Sequence, residues 1–308
     1  MLILGEIRTC VLQHSRALDR STVAALLALV EGEPVRRSDR PVPHAVSPTR
    51  FTGVDCPLPT QKRCRGIGTI GARAVVTGGR VLQGSTRVRL ERAEADRRLP
   101  WAHYLARPGV VQAIGKLTTA DAVTGFLAAS TPGASIDLGA VADRLVGSVQ
   151  LSARLDHVTP LRAKRIRLRW SAELTAEAAA EGTAPACEFT VVDDTIRTLR
   201  LRLPAAAAED VQGFCENLAL HDWALSTLLT LVERSDLDSA GHAAFVRLRP
   251  AVDHLLHLWM PGAHVAPALL PLWEGLERQA GFTKQWSVNR DRIRDQLALH
   301  TLAAMRNS

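Results

Sequence analysis

Apolar residues in this 308-residue chain change their spacing at Pro204, and that change limits the folds open to it. Upstream, runs such as Arg165-Ile166-Arg167-Leu168-Arg169-Trp170 and Arg200-Leu201-Arg202-Leu203 alternate charged with apolar residues. A period of two puts each class on its own face of a strand. Downstream, residues 207–219, 221–234, 240–258, 266–280 and 289–305 repeat apolar residues at three- and four-residue spacing, the helical period. The chain therefore reads as α+β. Residues 1–204 are expected to form a mainly antiparallel β domain with short helices, and residues 205–308 a helical domain that can dock onto it. Antiparallel pairing follows because strands succeed one another without long intervening helices.

Local signals fill in the order of elements. Residues 2–13 read as a strand, and Asp19 and Ser21 as caps of a helix that Gly32 ends. Residues 33–66, rich in Pro, Arg and Ser, read as one long irregular segment. Residues 70–76 and 80–90 flank Thr77-Gly78-Gly79 as a hairpin. Short helices are expected from Thr119 and over residues 137–145. Strands follow over residues 146–156, 163–174, 187–192 and 195–203. Gly66-Ile67-Gly68-Thr69-Ile70-Gly71 fits the dinucleotide fingerprint in form only, since a hairpin and not a helix follows it.

Charge is unevenly spread. Residues 1–204 carry 29 Lys+Arg against 19 Asp+Glu, or +10, and residues 205–308 carry 9 against 12, or −3. All but four of the basic residues are arginine. Arg165, Arg167, Arg169, Arg200, Arg202, Arg87 and Arg89 lie at alternate positions of strand-like runs. If those strands are neighbours, a guanidinium-rich face results. It would suit phosphate groups or an acidic partner. A solvated face in an arginine-biased chain is the simpler reading, and no aromatic residues interleave to form a base-stacking platform.

Chemistry-bearing clusters are sparse. His44, Ser47, Asp55 and Cys56 supply a base, a nucleophile and an orienting acid by type, without a nucleophile elbow around them. His254, His257 and His264 sit among leucines and tryptophan and lack the H-E-x-x-H pattern, so they read as helix packing, with no metal and no cofactor expected. Five cysteines, none spaced C-x2-C, indicate a reducing setting. Glu6 and Arg8 fall where the apolar core of a signal peptide would be, and no apolar run reaches the ~20 residues of a membrane span. A cytoplasmic protein is expected.

Several longer stretches belong together. They are residues 5–10 (GEIRTC), 44–60 (HAVSPTRFTGVDCPLPT), 99–108 (LPWAHYLARP), 257–264 (HLWMPGAH) and 292–299 (RIRDQLAL). In these the chain resembles an uncharacterised family of actinobacterial, Streptomyces-type proteins. The resemblance implies encoding beside a variant P-loop protein and a SAM-dependent methyltransferase, hence a role among protein partners. It carries no catalytic residues. The function expected is a non-catalytic binding or adaptor protein of a multi-protein system, with Leu258, Trp259, Leu270 and Trp273 as an apolar contact surface. Two alternatives stand beside it: a nucleic-acid- or nucleotide-binding protein using the arginine face, and a hydrolase using residues 44–56.

Overall fold

The structure, a computed structural model, describes residues 1–59, 64–94, 96–128, 136–159, 161–175, 186–234, 248–249 and 252–306. Its strands are β1 (Leu2–Val11), β2 (Arg36–Ser38), β3 (His44–Val46), β4 (Arg50–Pro57), β5 (Arg65–Thr77), β6 (Val81–Arg92), β7 (Val110–Ile114), β8 (Ile166–Thr175), β9 (Ala186–Val191) and β10 (Ile196–Pro204). They form one sheet in the order β2-β3-β5-β7-β6-β1-β8-β10-β9, with β4 also paired to β5. All pairings are antiparallel except β6–β7 and β8–β10. The helices are α1 (Arg20–Leu27), α2 (Trp101–Leu105), α3 (Thr119–Ala128), α4 (Leu138–Gln150), α5 (Val211–Arg234), α6 (Leu270–Ala280) and α7 (Phe282–Arg306).

The mixed α+β class and the predominance of antiparallel pairing agree with the change of period at Pro204, which ends β10. The hairpin forms as β5 and β6, joined through Gly78 and Gly79 in left-handed conformations that glycine adopts without strain. Asp19 accepts from the backbone N–H groups of Ser21 and Thr22 and so caps α1.

Four expectations need correction. Residues 146–156 do not form a strand, because α4 continues to Gln150. Leu138, Val141, Leu145, Val146 and Val149 make one buried stripe at helical spacing, and packing on the sheet outweighs the β preference of valine. Residues 33–66 are not wholly irregular but contain β2, β3 and β4. The expected helices 207–219 and 221–234 are one helix, α5, and the strand β7 was not foreseen. Most of the expected helix 240–258 lies outside the described residues. The glycine-rich run lies inside β5, where a Cβ on Gly68 would collide with the Val110 carbonyl of β7.

Both faces of the sheet are covered. On one, Leu2, Leu4 and Cys10 of β1 join Val88 and Leu90 of β6 beneath α3 and α4. On the other, Ile3 and Ile7 join Trp170, Leu199 and Leu201 under α5, whose far side meets Trp273 and Trp286. The helices beyond Pro204 therefore share a single core with β1, β8 and β10. No described helix is long and apolar enough to cross a membrane.

The central crossing of β1 and β8 is tight. A Cβ on Gly5 would fall within the buried Trp170 indole. Gly5→Ala is expected to cost about 1–3 kcal/mol through overpacking. A Cβ on Gly213 of α5 meets nothing within 4 Å. Gly213→Ala should therefore stabilise by roughly 0.5–1 kcal/mol, as glycine-to-alanine changes in helices do. Urea unfolding of both variants checks the pair, and equal shifts would contradict this packing.

Candidate functional site

The arginine runs divide between the two faces. Register pairs Arg87 and Arg89 of β6 with Gly5 and Ile3, on the α5 side. There Arg87 meets Glu209 at 3.1 Å and Arg89 meets Glu91 at 2.7 Å. Arg165, Arg167, Arg169, Arg200 and Arg202 lie on the α4 side, since their apolar neighbours in β8 and β10 pack under α5. A single face carrying all seven does not exist.

Most of the α4-side arginines are already committed. The Glu6 carboxylate, only 1% exposed, is met by Arg8 at 3.1 Å, Arg167 at 3.4 Å and Arg169 at 3.2 Å. Burial raises the Glu6 pKa and the three guanidiniums oppose that rise. Asp143 of α4 takes Arg8 and Arg165, each at 3.1 Å. Arg200 and Arg202 remain exposed at the open end of this face. Removing the carboxylate would take the Glu6 charge from three crowded guanidiniums and leave Arg8 with Asp143 alone. Glu6→Gln is expected to destabilise by about 3–5 kcal/mol, as breaking a buried ion pair does. Arg200→Gln should be silent in the same thermal unfolding measurement.

The hydrolase constellation is separated by register. His44 lies opposite Thr77 of β5, whereas Asp55 and Cys56 lie opposite Ile67 and Gly66. Ten residues of strand, roughly 33 Å, stand between them. Asp55 is held by Arg65 at 2.5 Å and Arg98 at 3.1 Å. Burial, helped by Asp55, raises the Cys56 thiol pKa, away from a reactive thiolate.

The proposed apolar surface is largely internal. Leu258 is 2% exposed and Trp273 5%, both in the core that α5 shares. Trp259 stacks on Trp286 with ring centroids 4.3 Å apart. Only Leu270, 38% exposed, faces outward. His254 contacts Arg80, and among the described residues no group of three or more His, Cys, Asp or Glu is placed to hold a metal.

A cleft of about 340 Å³ lies where the β2–β3 edge meets α5. Arg36, Ser38, His44 and Val46 share the α5-side face of these strands, as the registers Arg36↔Val46 and Ser38↔His44 require. Across from them stand Asp210, Gly213, Glu216 and Asn217, spaced to share one side of α5. Arg73 of β5 donates to both Glu216 oxygens at 2.7 Å and braces helix to sheet. Gln83 donates to Thr9 and to the Glu216 carbonyl.

Two imidazoles line the mouth. His44 stacks on His264, with centroids 4.4 Å apart and planes 21° from parallel. Its Nδ1 lies 3.1 Å from Thr77 Oγ1. On α5 behind Asn217, His221 Nδ1 donates to the Asn217 carbonyl at 2.8 Å and Nε2 accepts from the Met260 N–H, which fixes the neutral tautomer.

One group in this cleft is out of pattern. Gln212, Glu216, His221 and Asp222 are buried polar residues of α5, and each has a partner: Ser85, Arg73, the Asn217 backbone and Arg197. Asn217 is 4% exposed, yet neither the nitrogen nor the oxygen of its side-chain amide has a hydrogen-bond partner. Asn217 is one of the residues that line the cleft. Among the residues of this cleft, sequence reasoning singled out His44 and, as helix packing, His264. Asn217 could have been suspected only as a polar residue among Phe214, Leu218 and Leu220.

Burial lowers the pKa of His44 to about 4, with His264 adding to the effect, and burial lowers His221 to about 4. Both are then neutral in the fold at a pH where an unfolded histidine takes a proton. Stability is full above the ordinary value of 6.5 and falls as pH drops from 6.5 to about 4, at roughly 1.4 kcal/mol per histidine per pH unit. Thermal midpoints should decline across that window, and the decline should be shallower in His44→Gln. A flat profile between pH 6.5 and 4.5 would contradict the burial of both rings.

Compared with family models, curated proteins and solved structures, the chain matches none, and the reading of this cleft rests on its own residues.

Proposed function

We propose that the chain is a non-catalytic binding protein that takes a small polar ligand in the cleft between β2–β3 and α5. The observation that carries this is the buried Asn217 amide, unpaired at both ends. An unsatisfied buried polar group costs about 1–3 kcal/mol, and native cores keep few of them. A ligand that donates to and accepts from the amide would offset that cost. Supporting features are the concave shape, a volume within the ordinary range for ligand pockets, and uncommitted polar groups on both walls. The neutral imidazoles and the raised cysteine pKa values supply no activated nucleophile.

The adaptor role belongs to the same reading. Occupancy of a cleft that joins the sheet edge to α5 would be passed to protein partners, the neighbouring P-loop protein among them. A cytoplasmic setting fits the five unpaired cysteines. Polyanion binding is the second reading. It is supported by Arg200 and Arg202, which are exposed and make no ion pair among the described residues. It is weakened by the commitment of Arg165, Arg167 and Arg169 to Asp143 and Glu6.

The test separates stability from binding. Asn217→Leu removes the unpaired amide while keeping side-chain volume, so it is expected to raise the unfolding free energy by about 1–3 kcal/mol. The same change should abolish ligand-induced thermal shifts in a screen of small zwitterions, carboxylates, phosphate and nucleotides. Gly213→Met, which projects a side chain from a position with open space, serves as a blocked-cleft control. A wild-type protein that responds to no compound beyond this control would overturn the proposal.

A further inference from the structure

Resting on the ligand-binding reading, we infer that the cleft is built for a small zwitterion of the amino-acid or dipeptide class, its carboxylate on Arg36, its ammonium on Asp210 and its amide on Asn217. Charge bookkeeping favours this over an anion. Three basic residues line the cleft, Arg36, Arg37 and Arg73, against three acidic ones, Glu209, Asp210 and Glu216. Arg73 and Glu216 neutralise one another in a two-point ion pair, and Glu209 leans out to Arg87. Arg37 registers with Ala45 and so belongs to the other face of β2. What remains unpaired on the α5-side walls is one cation and one anion, Arg36 and Asp210, neither paired among the described residues. A phosphate or dicarboxylate would meet the Asp210 charge without compensation, whereas a molecule carrying both signs satisfies both walls.

The spacing suits more than a bare ammonium and carboxylate. Asp210, immediately before α5, and Asn217 on it are seven residues apart, roughly 10 Å along the helix axis. Between them Gly213 leaves the wall without a side chain. A ligand bridging these points needs an interior polar group that both donates and accepts, which is what a carboxamide or peptide bond offers to the Asn217 amide. Glutamine, asparagine and dipeptides meet that description. His44 and His264, held neutral, add polar edges at the mouth without adding charge.

Isothermal titration of the full chain with L-glutamine, L-asparagine and glycylglycine tests this, with inorganic phosphate, succinate and AMP as contrasts. At least one zwitterion should bind, and Arg36→Gln and Asp210→Asn should each weaken it roughly ten- to hundred-fold, the loss of one charge-assisted hydrogen bond. Both residues are exposed, so neither variant endangers the fold. Trimming the ligand assigns the walls. An N-acetylated ligand lacks the ammonium and should bind wild type and Asp210→Asn alike. A carboxamide-capped ligand lacks the carboxylate and should bind wild type and Arg36→Gln alike. Binding of phosphate, succinate or AMP that Gly213→Met blocks, without zwitterion binding, would overturn the ligand class and leave the cleft as the site. Zwitterion binding that both charge variants leave unchanged would overturn the assignment of the walls. No binding by any compound would sink the ligand-binding reading itself.

Discussion

The buried Glu6 carboxylate is the contact on which the arrangement of this sheet depends. Three guanidiniums, from Arg8, Arg167 and Arg169, reach one side chain on the central strand, and α4 closes over them. Without that negative charge the alternating arginines of β8 would have to face water. The strand could not then carry helices on both faces. The α4 backbone comes close enough that Gly139 has no room for a Cβ beside Glu6 and Arg8. An ion cluster of this kind adds little net stability over an apolar substitute, but its partial loss is severe, so it fixes the register of β1 against β8 more than it strengthens the fold.

On the opposite face the organising element is α5. It is buried along most of its length because the sheet lies on one side and α6 and α7 on the other. A helix so enclosed has to satisfy every polar group within the protein. It does so at Gln212 with Ser85, at Glu216 with Arg73 and at Asp222 with Arg197. The cleft opens where the short β2–β3 pair stops short of covering the first turns of this helix. Asn217 is the one of these groups whose side-chain amide has no partner among the described residues.

Much of the fold was legible in the sequence because it follows local rules. The two-glycine turn sets β5 against β6, Asp19 starts α1, and the change of period at Pro204 separates strands from the long helices. The failures have physical causes. Valines 146 and 149 suit a strand locally but are recruited into α4 by packing, and a five-residue strand such as β7 has too little pattern to be seen. The arginine runs were visible, but which face each run occupies depends on pairing register. Their acids, Glu6 and Asp143, lie far away in sequence. The cleft was least legible of all. Residues 36, 44, 210, 217 and 264 come together through the long-range pairing of an edge hairpin with a helix, and no spacing in the chain encodes that.

The placement of β1 also bears on how the chain is made. It is made before the other strands of this sheet, yet one of its two sheet neighbours, β8, begins at Ile166. At ordinary rates of translation that is a wait of roughly 8–30 s with one long edge unpaired. In that interval β6 arrives and the hairpin side can close, but Glu6 still lacks Arg167 and Arg169, and the apolar row Ile3 and Ile7 still lacks α5. Such an edge is a template for other strands until its own partner arrives. Glu6 and Arg8 put charge in the middle of that edge, which disfavours mispairing on general grounds, and the same two residues belong to the buried ion cluster once β8 is in place.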